Sequence, residues 1–302
     1  MSKMFIKATM DIKIKYMENS IKDNNINKIE EGKIRNYLDD SYNNAVIFTY
    51  DKTDSTNIRA KEYAKEQKAK HNSNTYDIAE SRKEVLQGIF VAEEQTGGRG
   101  RLGRTFYSPE SVGIYMSLLI PADKIQGDIQ MITIGTAVAV CHSVKKVCNI
   151  DLGIKWVNDL YKNGKKVCGI LAEAVNDEDT GKIKNIVIGI GINCTTEEFP
   201  DEISDKATSL SKEGIIDRNR LIAEIAEDVA DVAGRLSDYS IIEEYRRKSI
   251  VYGKEVTYNY KGLEKKGVVK EINDLGNLVV YADDGSVDVL SSGEVSVKGE
   301  WT

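Results

Sequence analysis

The chain has 302 residues, of which 41% are hydrophobic and 30% are charged, and its formal net charge is -6. This balance is typical of a globular protein with one large domain and one or two small ones, and it argues against broad nucleic-acid binding, which needs clustered positive charge. The net charge is still compatible with a local basic site. The first residues lack the apolar core of a signal peptide, and no apolar run is expected to span the bilayer, which takes roughly 20 residues.

The cysteines and histidines offer few ligands for a metal. Cys141, Cys148, Cys168 and Cys194 form no Cys-x-x-Cys pair, so their spacing does not predict a zinc site. Each lies in an apolar run, which favours four reduced thiols in the core of a cytosolic protein. His142 follows Cys141 on an expected core helix, and neither of the two histidines is placed to activate a cysteine nucleophile.

The N-terminal part of the chain divides into a polar extension and a strand–helix unit. Residues 1–44 are rich in lysine and asparagine, and we expect them to be helical or partly disordered, with a short helix in 26–40. AVIFTY, 45–50, predicts a strand, and STNIRAKEYAKEQ, 55–67, predicts a capped helix. Residues 68–87 contain turn residues and predict a loop with some helix.

The middle of the chain mixes buried strands with one long helix. GIFVAEEQ, 88–95, and GIYMSLLI, 113–120, predict strands, and 128–148 predicts a core helix because its apolar residues extend around the circumference. In 154–175, two apolar runs meet at Asn163-Gly164, the residue pair preferred in type I′ turns of β-hairpins.

The remaining elements complete an α+β pattern. NIVIGIGINC, 185–194, predicts a buried strand, and 217–236 predicts an amphipathic helix. We expect a central mixed, mostly antiparallel sheet with flanking helices, plus a small C-terminal β-barrel. The predicted domains are an extension over 1–44, a main domain over 45–249 and a β domain over 250–302.

Arginine and glycine alternate in the segment GGRGRLGR, 97–104. Glycine lets backbone N–H groups approach an anion, and arginine offers a planar fork of donors that matches carboxylate or phosphate oxygens. The like charges repel one another, so we expect a loop that is mobile when empty and ordered by an anionic ligand. A solvated turn and an RNA-binding arginine–glycine run stay open at this point.

A second polar group lies around the predicted hairpin. Lys155, Asn158 and Asp159 cluster at one end of a strand, and the hairpin returns Lys166 to the same region. Strand alternation places Lys155 and Asp159 on one face and Asn158 on the other, so only a bend lets all of them enter one pocket. A lysine there would stabilise negative charge, whereas solvated lysines on a ribbon are the alternative.

Two further polar motifs lie at the ends of elements. DSTN, 54–57, lies at a strand-to-helix junction, where unpaired N–H groups of the helix start are available to a small polar ligand. Asn193 ends the strand GIGIN and could contact an adenine edge. Each motif by itself is equally typical of a simple cap or turn.

Taken in order, DSTN, GGRGRLGR, KWVNDLY, KKVCGILAE and GIGINC resemble the signature of the biotin protein ligases. The resemblance runs from about residue 46 to the C-terminus, where LSSGEVSV resembles the closing strand of the family's SH3-like domain. It implies a class II synthetase-like main domain, which would then be catalytic. It also implies a ligase that forms biotinoyl-5′-AMP from biotin and ATP and transfers biotin to one lysine of a biotin carboxyl carrier domain.

The resemblance further implies roles for individual residues. Biotin-binding residues would be Ser55, Thr56, Asn57, Gln95, Arg99, Gly100, Arg101 and Lys166. ATP-binding residues would be Arg101, Arg104, Phe106, Lys155, Asn158, Lys166 and Asn193. Arg101 and Lys166, which would contact the carboxylate and the α-phosphate, are the predicted catalytic residues. Asp159 would either hold Mg²⁺ or brace the site.

The implied cofactors and partners are ATP, Mg²⁺, biotin as substrate, and the carrier protein or domain of acetyl-CoA or pyruvate carboxylase in the cytoplasm. A homodimer through the central sheet stays open, and no membrane contact is expected. The roughly 44 residues before the main domain show no pattern for the operator-binding winged helix of some members, so we expect a monofunctional ligase without DNA binding. A bifunctional ligase and repressor, a lipoate-type ligase and an RNA-binding module are the alternatives.

Overall fold

The computed structural model of the chain describes residues 28–71, 85–212, 215–293 and 295–297. The larger sheet consists of β1 (Val46–Thr53), β2 (Gly88–Gln95), β3 (Gly113–Pro121), β4 (Gly153–Lys155), β5 (Asp159–Lys162), β6 (Lys165–Asn176) and β7 (Ile183–Asn193). The helices are α1 (Glu31–Arg35), α2 (Thr56–His71), α3 (Ile132–Cys148), α4 (Arg218–Ala233) and α5 (Tyr239–Lys248). The smaller sheet consists of β8 (Glu255–Tyr260), β9 (Leu263–Ile272), β10 (Leu278–Ala282), β11 (Val287–Leu290) and β12 (Val295–Val297).

The larger sheet has the strand order β1-β2-β3-β7-β6-β5-β4. Its β1–β2 pair is parallel, and the other five pairs are antiparallel. This confirms the predicted mixed, mostly antiparallel sheet. The short helix predicted in 26–40 is α1, whereas residues 1–27 of the predicted extension and 72–84 of the predicted loop lie outside the described residues.

The two faces of this sheet differ in what covers them. One face packs against α3 and α4 in the main hydrophobic core, to which Ile188 and Ile190 of β7 belong. The opposite face packs against α2, where Ala60 and Ala64 meet Val187 and neighbouring apolar residues. Because successive side chains of a strand point to opposite faces, β7 serves both layers.

The predicted hairpin forms, but the first of its strands is broken. Asn163 and Gly164 both have positive φ, 49° and 76°, as a type I′ turn requires, and they join β5 to β6. The apolar run before this turn is not one continuous strand, since the chain turns at 156–158 and pairs Lys155 with Asp159. This turn is the bend that the polar residues around it require.

The smaller sheet is antiparallel, with the order β11-β10-β9-β8-β12, and fits the predicted SH3-like barrel. It contacts the larger sheet through the 156–158 turn, because Trp156 Nε1 donates a hydrogen bond of 2.9 Å to the carbonyl of Gly276. Arg246 on α5 donates a second bond of 2.6 Å to the carbonyl of Ile272. The domain boundary at residue 250 stays a prediction.

Helix α3 and three of the four cysteines belong to the interior, whereas Cys148 is only half-buried, so the expectation of a core thiol is wrong there. The stretch Ile129–Cys148 is long and apolar enough to cross a membrane by length and composition alone, so the expectation that no run reaches this length is wrong. Within the protein, 67% of that window is buried, as in a core helix. All four cysteines are free thiols, and burial raises the pKa of both Cys141 and Cys194 to about 12.

Candidate functional site

A cavity with about 490 Å³ of empty space opens between the start of α2, the arginine–glycine segment and strands β6 and β7. It is lined by Ser55, Thr56, Asn57, Gln95, Arg99, Gly100, Arg101, Phe106, Met116, Asn158, Lys166, Gly169, Ile170, Leu171, Gly189, Ile190 and Gly191. We call this space the first cavity.

One end of the first cavity is a network of hydrogen bonds at the start of α2. The backbone N–H and the hydroxyl of Thr56 donate to Gln95 Oε1 at 2.8 and 3.1 Å. Ser117 Oγ lies 2.7 Å from Thr56 Oγ1 and 2.5 Å from Asn57 Oδ1. Ser55, Thr56 and Asn57 are all buried, so this end offers fixed polar groups in a place that excludes water.

The floor of the first cavity is backbone rather than side chain. Gly169 of β6 and Gly191 of β7 are directly paired, and Gly189 follows on the same face. A Cβ added to Gly191 would lie 2.6 Å from the ring of Phe106, and one added to Gly189 would lie 2.3 Å from Asn57 Oδ1. These positions therefore require glycine, because a side chain would displace groups that shape the cavity.

The arginine–glycine segment folds over this floor as a compact loop. Phe106 N–H donates to the carbonyl of Gly98 at 2.9 Å, and Gly100 N–H donates to the carbonyl of Arg104 at 2.7 Å. Between them lies a single 3-10 turn over Arg101–Gly103. The loop therefore has internal bonds of its own, and its expected ordering by an anion stays a prediction.

Arg101 and Lys166 bring two positive charges to the opposite end of the first cavity. Arg101 Nη1 donates to Asn158 Oδ1 at 3.1 Å and to the carbonyl of Gly293 at 3.3 Å, so a residue that follows β11 also holds this guanidinium. Lys166 Nζ lies 2.6 Å from Asp159 Oδ1. The Lys166 backbone is held as well, because its N–H donates to the carbonyl of Lys206 at 2.8 Å.

A second, larger cavity adjoins this charged end and shares Phe106, Asn158 and Lys166 with the first. Its other lining residues are Arg104, Thr105, Tyr107, Lys155, Trp156, Asp159, Tyr161, Asn163, Gly164, Lys165, Asn193, Phe199, Ile203, Asp205, Lys206, Ala207, Gly293, Val295 and Ser296. Five of the lining side chains are Lys or Arg and two are Asp, so the wall carries an excess of positive charge inside an acidic chain. Asn193 donates to the carbonyl of Thr208, while its Oδ1 has no hydrogen-bond partner among the described residues.

The structure places every predicted site residue in the wall of one of these two cavities. Ser55, Thr56, Asn57, Gln95, Arg99, Gly100 and Arg101 line the first, Arg104, Lys155, Asp159 and Asn193 line the second, and Phe106, Asn158 and Lys166 line both. The roles assigned to these residues stay predictions.

Sequence reasoning missed two kinds of site residue. Gly169 on β6 and the polar Ser117 on β3 lie within apolar strands, and Glu173 lies behind Asn57. The alternation of side chains along a strand, counted from Gly169, places Glu173 on the cavity face. The single serine in the otherwise apolar strand GIYMSLLI indicates a buried polar contact.

The carboxylates near the second cavity do not form a resident metal centre. Asp159 is paired with Lys166, and the described residues contain no group of three His, Cys, Asp or Glu side chains that could hold a metal ion. Mg²⁺ commonly takes one or two protein carboxylates and completes its shell with substrate phosphates and water. The role of Asp159 toward Mg²⁺ therefore stays a prediction.

Comparisons with known proteins agree on one family. A model of the biotin/lipoate A/B protein ligase family matches residues 63–193. The bifunctional ligase/repressor BirA of Bacillus spizizenii is 43% identical over 126 residues, which span 41% of this chain but only 38% of that protein. The biotin--[acetyl-CoA-carboxylase] ligase of Mycobacterium tuberculosis is 28% identical over 216 residues, which span 68% of this chain and 77% of that protein.

The fold gives the same result. The structure is similar to that of biotin protein ligase from Aquifex aeolicus in complex with biotin and ATP, with a TM-score of 0.67 and 25% identity. That similarity covers 84% of this chain and 98% of the other. The glycine floor and the arginine loop lie within or directly beside the segment matched by the family model. Residues 63–193 of the chain are thus similar to the biotin/lipoate A/B protein ligase family, and the fold is similar to that of a biotin protein ligase.

Proposed function

We propose that this protein is an ATP-dependent biotin protein ligase. The observation that carries the proposal is the order of chemistry along the first cavity, which runs from buried hydrogen-bonding groups beside Gly189, over the paired Gly169 and Gly191, to two cations, of which Lys166 lies beside Gly169. Biotin has the same order, with a cyclic urea, an aliphatic chain and a carboxylate. Lipoate has an apolar dithiolane in place of the urea and would leave the buried Thr56–Gln95–Ser117 network without a matching polar group.

The second cavity supports ATP as the partner of this reaction. The second cavity meets the first at Lys166, at the end of the first cavity that would take the carboxylate of biotin. Its wall is rich in cations. Asn193 Oδ1 offers a buried acceptor for an amino group such as that of adenine. Phe106 lines both cavities and separates the two ligands. An Mg²⁺ ion bound with the nucleotide, with Asp159 as a ligand, would neutralise phosphate charge.

In the first step a carboxylate oxygen of biotin forms a bond to the α-phosphorus of ATP, and the bond to the leaving pyrophosphate breaks. Two anions must approach each other for this, and Arg101 and Lys166 offset their repulsion while the glycine floor admits them. In the second step the ε-amine of an acceptor lysine attacks the biotinoyl carbonyl and AMP leaves. No enzyme nucleophile is required, since positioning and charge supply the catalysis.

The acceptor would be the biotin carboxyl carrier domain of acetyl-CoA or pyruvate carboxylase. The ligase named for acetyl-CoA carboxylase among the relatives supports this choice. We place the reaction in the cytoplasm, where ATP and the carboxylases are available.

The test is biotin-dependent release of pyrophosphate from Mg-ATP. We expect release by the wild type, and a loss of roughly 10²–10³-fold in rate for Arg101→Ala and for Lys166→Ala. Arg235→Ala and Lys145→Ala are the matched controls, because these side chains form surface ion pairs and line neither cavity. Release that does not depend on biotin, or variants that match their controls, would contradict the proposal.

A further inference from the structure

A carboxylate that lines neither cavity lies directly behind the hydrogen-bonding end of the first one. Glu173 is on β6, four residues after Gly169 and on the same face of the sheet. Its carboxylate accepts a hydrogen bond of 2.7 Å from Asn57 Nδ2 and forms an ion pair of 2.6 Å with Lys61 Nζ. The side chain is only 24% exposed, so this contact joins β6 to the first turns of α2 in a largely dry place.

Glu173 is an anion at neutral pH. Burial raises the pKa of its carboxyl, but the hydrogen bonds from Asn57 and Lys61 outweigh burial and hold the pKa below its ordinary value. The positive charge of Arg99 acts in the same direction. An ionised carboxylate only accepts hydrogen bonds, so Glu173 admits one orientation of any amide that faces it.

The orientation of the Asn57 amide follows from this restriction. With Nδ2 held by Glu173, Oδ1 turns to Ser117 Oγ, 2.5 Å away. The space that the amide occupies is available because Gly189 has no side chain. Glu173, which lines neither cavity, therefore sets the positions of the donor and the acceptor of Asn57 at this side of the pocket.

The other side of the hydrogen-bond network is fixed by the backbone carbonyl of Phe106, which, like Glu173, only accepts hydrogen bonds. Ser108 Oγ lies 3.0 Å from the carbonyl of Phe106 and donates to it, and Gln95 Nε2 donates to Ser108 at 3.2 Å. Gln95 Oε1 is then left to accept from Thr56. The hydrogen-bonding end of the cavity is thus directed from both sides, by a backbone carbonyl and by Glu173.

We propose that Glu173 is a positioning residue that fixes the direction of the Asn57 amide, so that the pocket presents one arrangement of donors and acceptors to the cyclic urea of biotin. This inference rests on the proposed function. Replacing Glu173 by Gln keeps the shape of the side chain but removes the restriction, because an amide both donates and accepts. Asn57 can then turn, and a fraction of the molecules presents the wrong arrangement.

The first experiment measures biotin binding by calorimetry, without ATP, to the full chain. We expect Glu173→Gln to weaken biotin binding about tenfold, as for the loss of one hydrogen bond to a charged group. The matched control is Glu94→Gln, since Glu94 on β2 has a similar exposure of 26%, forms an ion pair of 2.8 Å with Lys52, and lines neither cavity. The control is expected to bind biotin within about twofold of the wild type.

A double-mutant cycle with Asn57→Ala separates positioning from a general structural effect. If Glu173 acts through Asn57, Glu173→Gln has no further effect on biotin affinity in the Asn57→Ala background. The same tenfold loss in both backgrounds would overturn the proposal, as would equal affinities of Glu173→Gln and Glu94→Gln. Thermal unfolding of each variant shows whether a loss of biotin affinity is caused by misfolding. In that case the biotin affinities in the cycle are calculated for the folded fraction of each variant.

The two proposals fail in distinguishable ways. If the wild type does not bind biotin, the proposed function is contradicted, and the inference falls with it. If the wild type binds biotin but the cycle shows no coupling between Glu173 and Asn57, the ligase function stands and only the positioning role is overturned.

Discussion

The two faces of β7 show how one strand serves stability on one side and ligand binding on the other. Ile188 and Ile190 project into the main core, where they are 0% and 2% exposed. On the opposite face, Gly189 and Gly191 carry no side chain and form the floor of the first cavity. The sequence IVIGIGIN encodes both functions through its period of two, because isoleucine and glycine alternate in step with the faces.

This difference has an energetic reason. Each isoleucine on the core face removes apolar surface from water, which contributes on the order of 1.5–3 kcal/mol per side chain. Glycine on the other face contributes no such burial and weakens a strand. Its presence at two alternate positions is explained by the approach of Asn57 and Phe106, which would collide with a Cβ. Substitutions on the two faces should therefore separate stability from binding.

The largest expected effect is on the core face. Ile188→Ala should lower the free energy of unfolding by about 2–5 kcal/mol, since it leaves a cavity in a fully buried place. Urea denaturation measures this, and biotin affinity of the folded fraction should be unchanged. Ile183→Ala on the same strand is the control, because that side chain is 42% exposed and should cost far less. Equal losses for the two variants would show that the faces are not distinct.

The next effect is on the cavity face. Gly189→Ala places a Cβ within 2.3 Å of Asn57 Oδ1, so Asn57 must move away from Ser117. Overpacking of this kind costs about 1–3 kcal/mol, and we expect it to appear as biotin binding that is roughly 10- to 100-fold weaker. Calorimetry with biotin checks this against Gly32→Ala, whose added Cβ meets nothing within 4 Å. Binding equal to that control would mean that the glycine floor does not shape the pocket.

Much of this arrangement could be predicted from local sequence. The period of two in β7 and the Asn163-Gly164 pair are local signals, and the strand and turn that they predict are confirmed. The break at 156–158 could not be predicted in the same way, because that turn is held by Trp156 bonding to Gly276, 120 residues later. Contacts at such separation leave no periodic signal in a single sequence.

The candidate site, too, can be predicted only in part from local sequence. The motifs place polar residues at the ends of strands, but only the resemblance to a family assigned Arg101 and Lys166 to one ligand, since their elements are far apart along the chain. Helix α5 was not predicted, although Ile241, Ile242 and Tyr245 share a helical face and are buried. The sequence places Glu173 in a motif but assigns it no role, because its partner Asn57 lies 116 residues earlier.

The smallest expected effect concerns pH and the charge of Glu173. A carboxyl whose pKa is lowered in the folded protein makes its stabilising interactions fully at any pH above its ordinary pKa, here 4.5. These interactions are lost only as the pH falls through the lowered pKa. Lys61 and Arg99 are the cations that face this carboxylate. The ratio of biotin dissociation constants between Glu173→Gln and the wild type should therefore stay constant from pH 8 down to 4.5, the ordinary pKa of a glutamate, and shrink toward one only at lower pH, as Glu173 is protonated. A ratio that already shrinks between pH 7 and 6 would require a raised pKa for Glu173. A ratio that stays constant while Glu173 is protonated would mean that the anion is not what directs Asn57, and that this side of the cavity depends on packing alone.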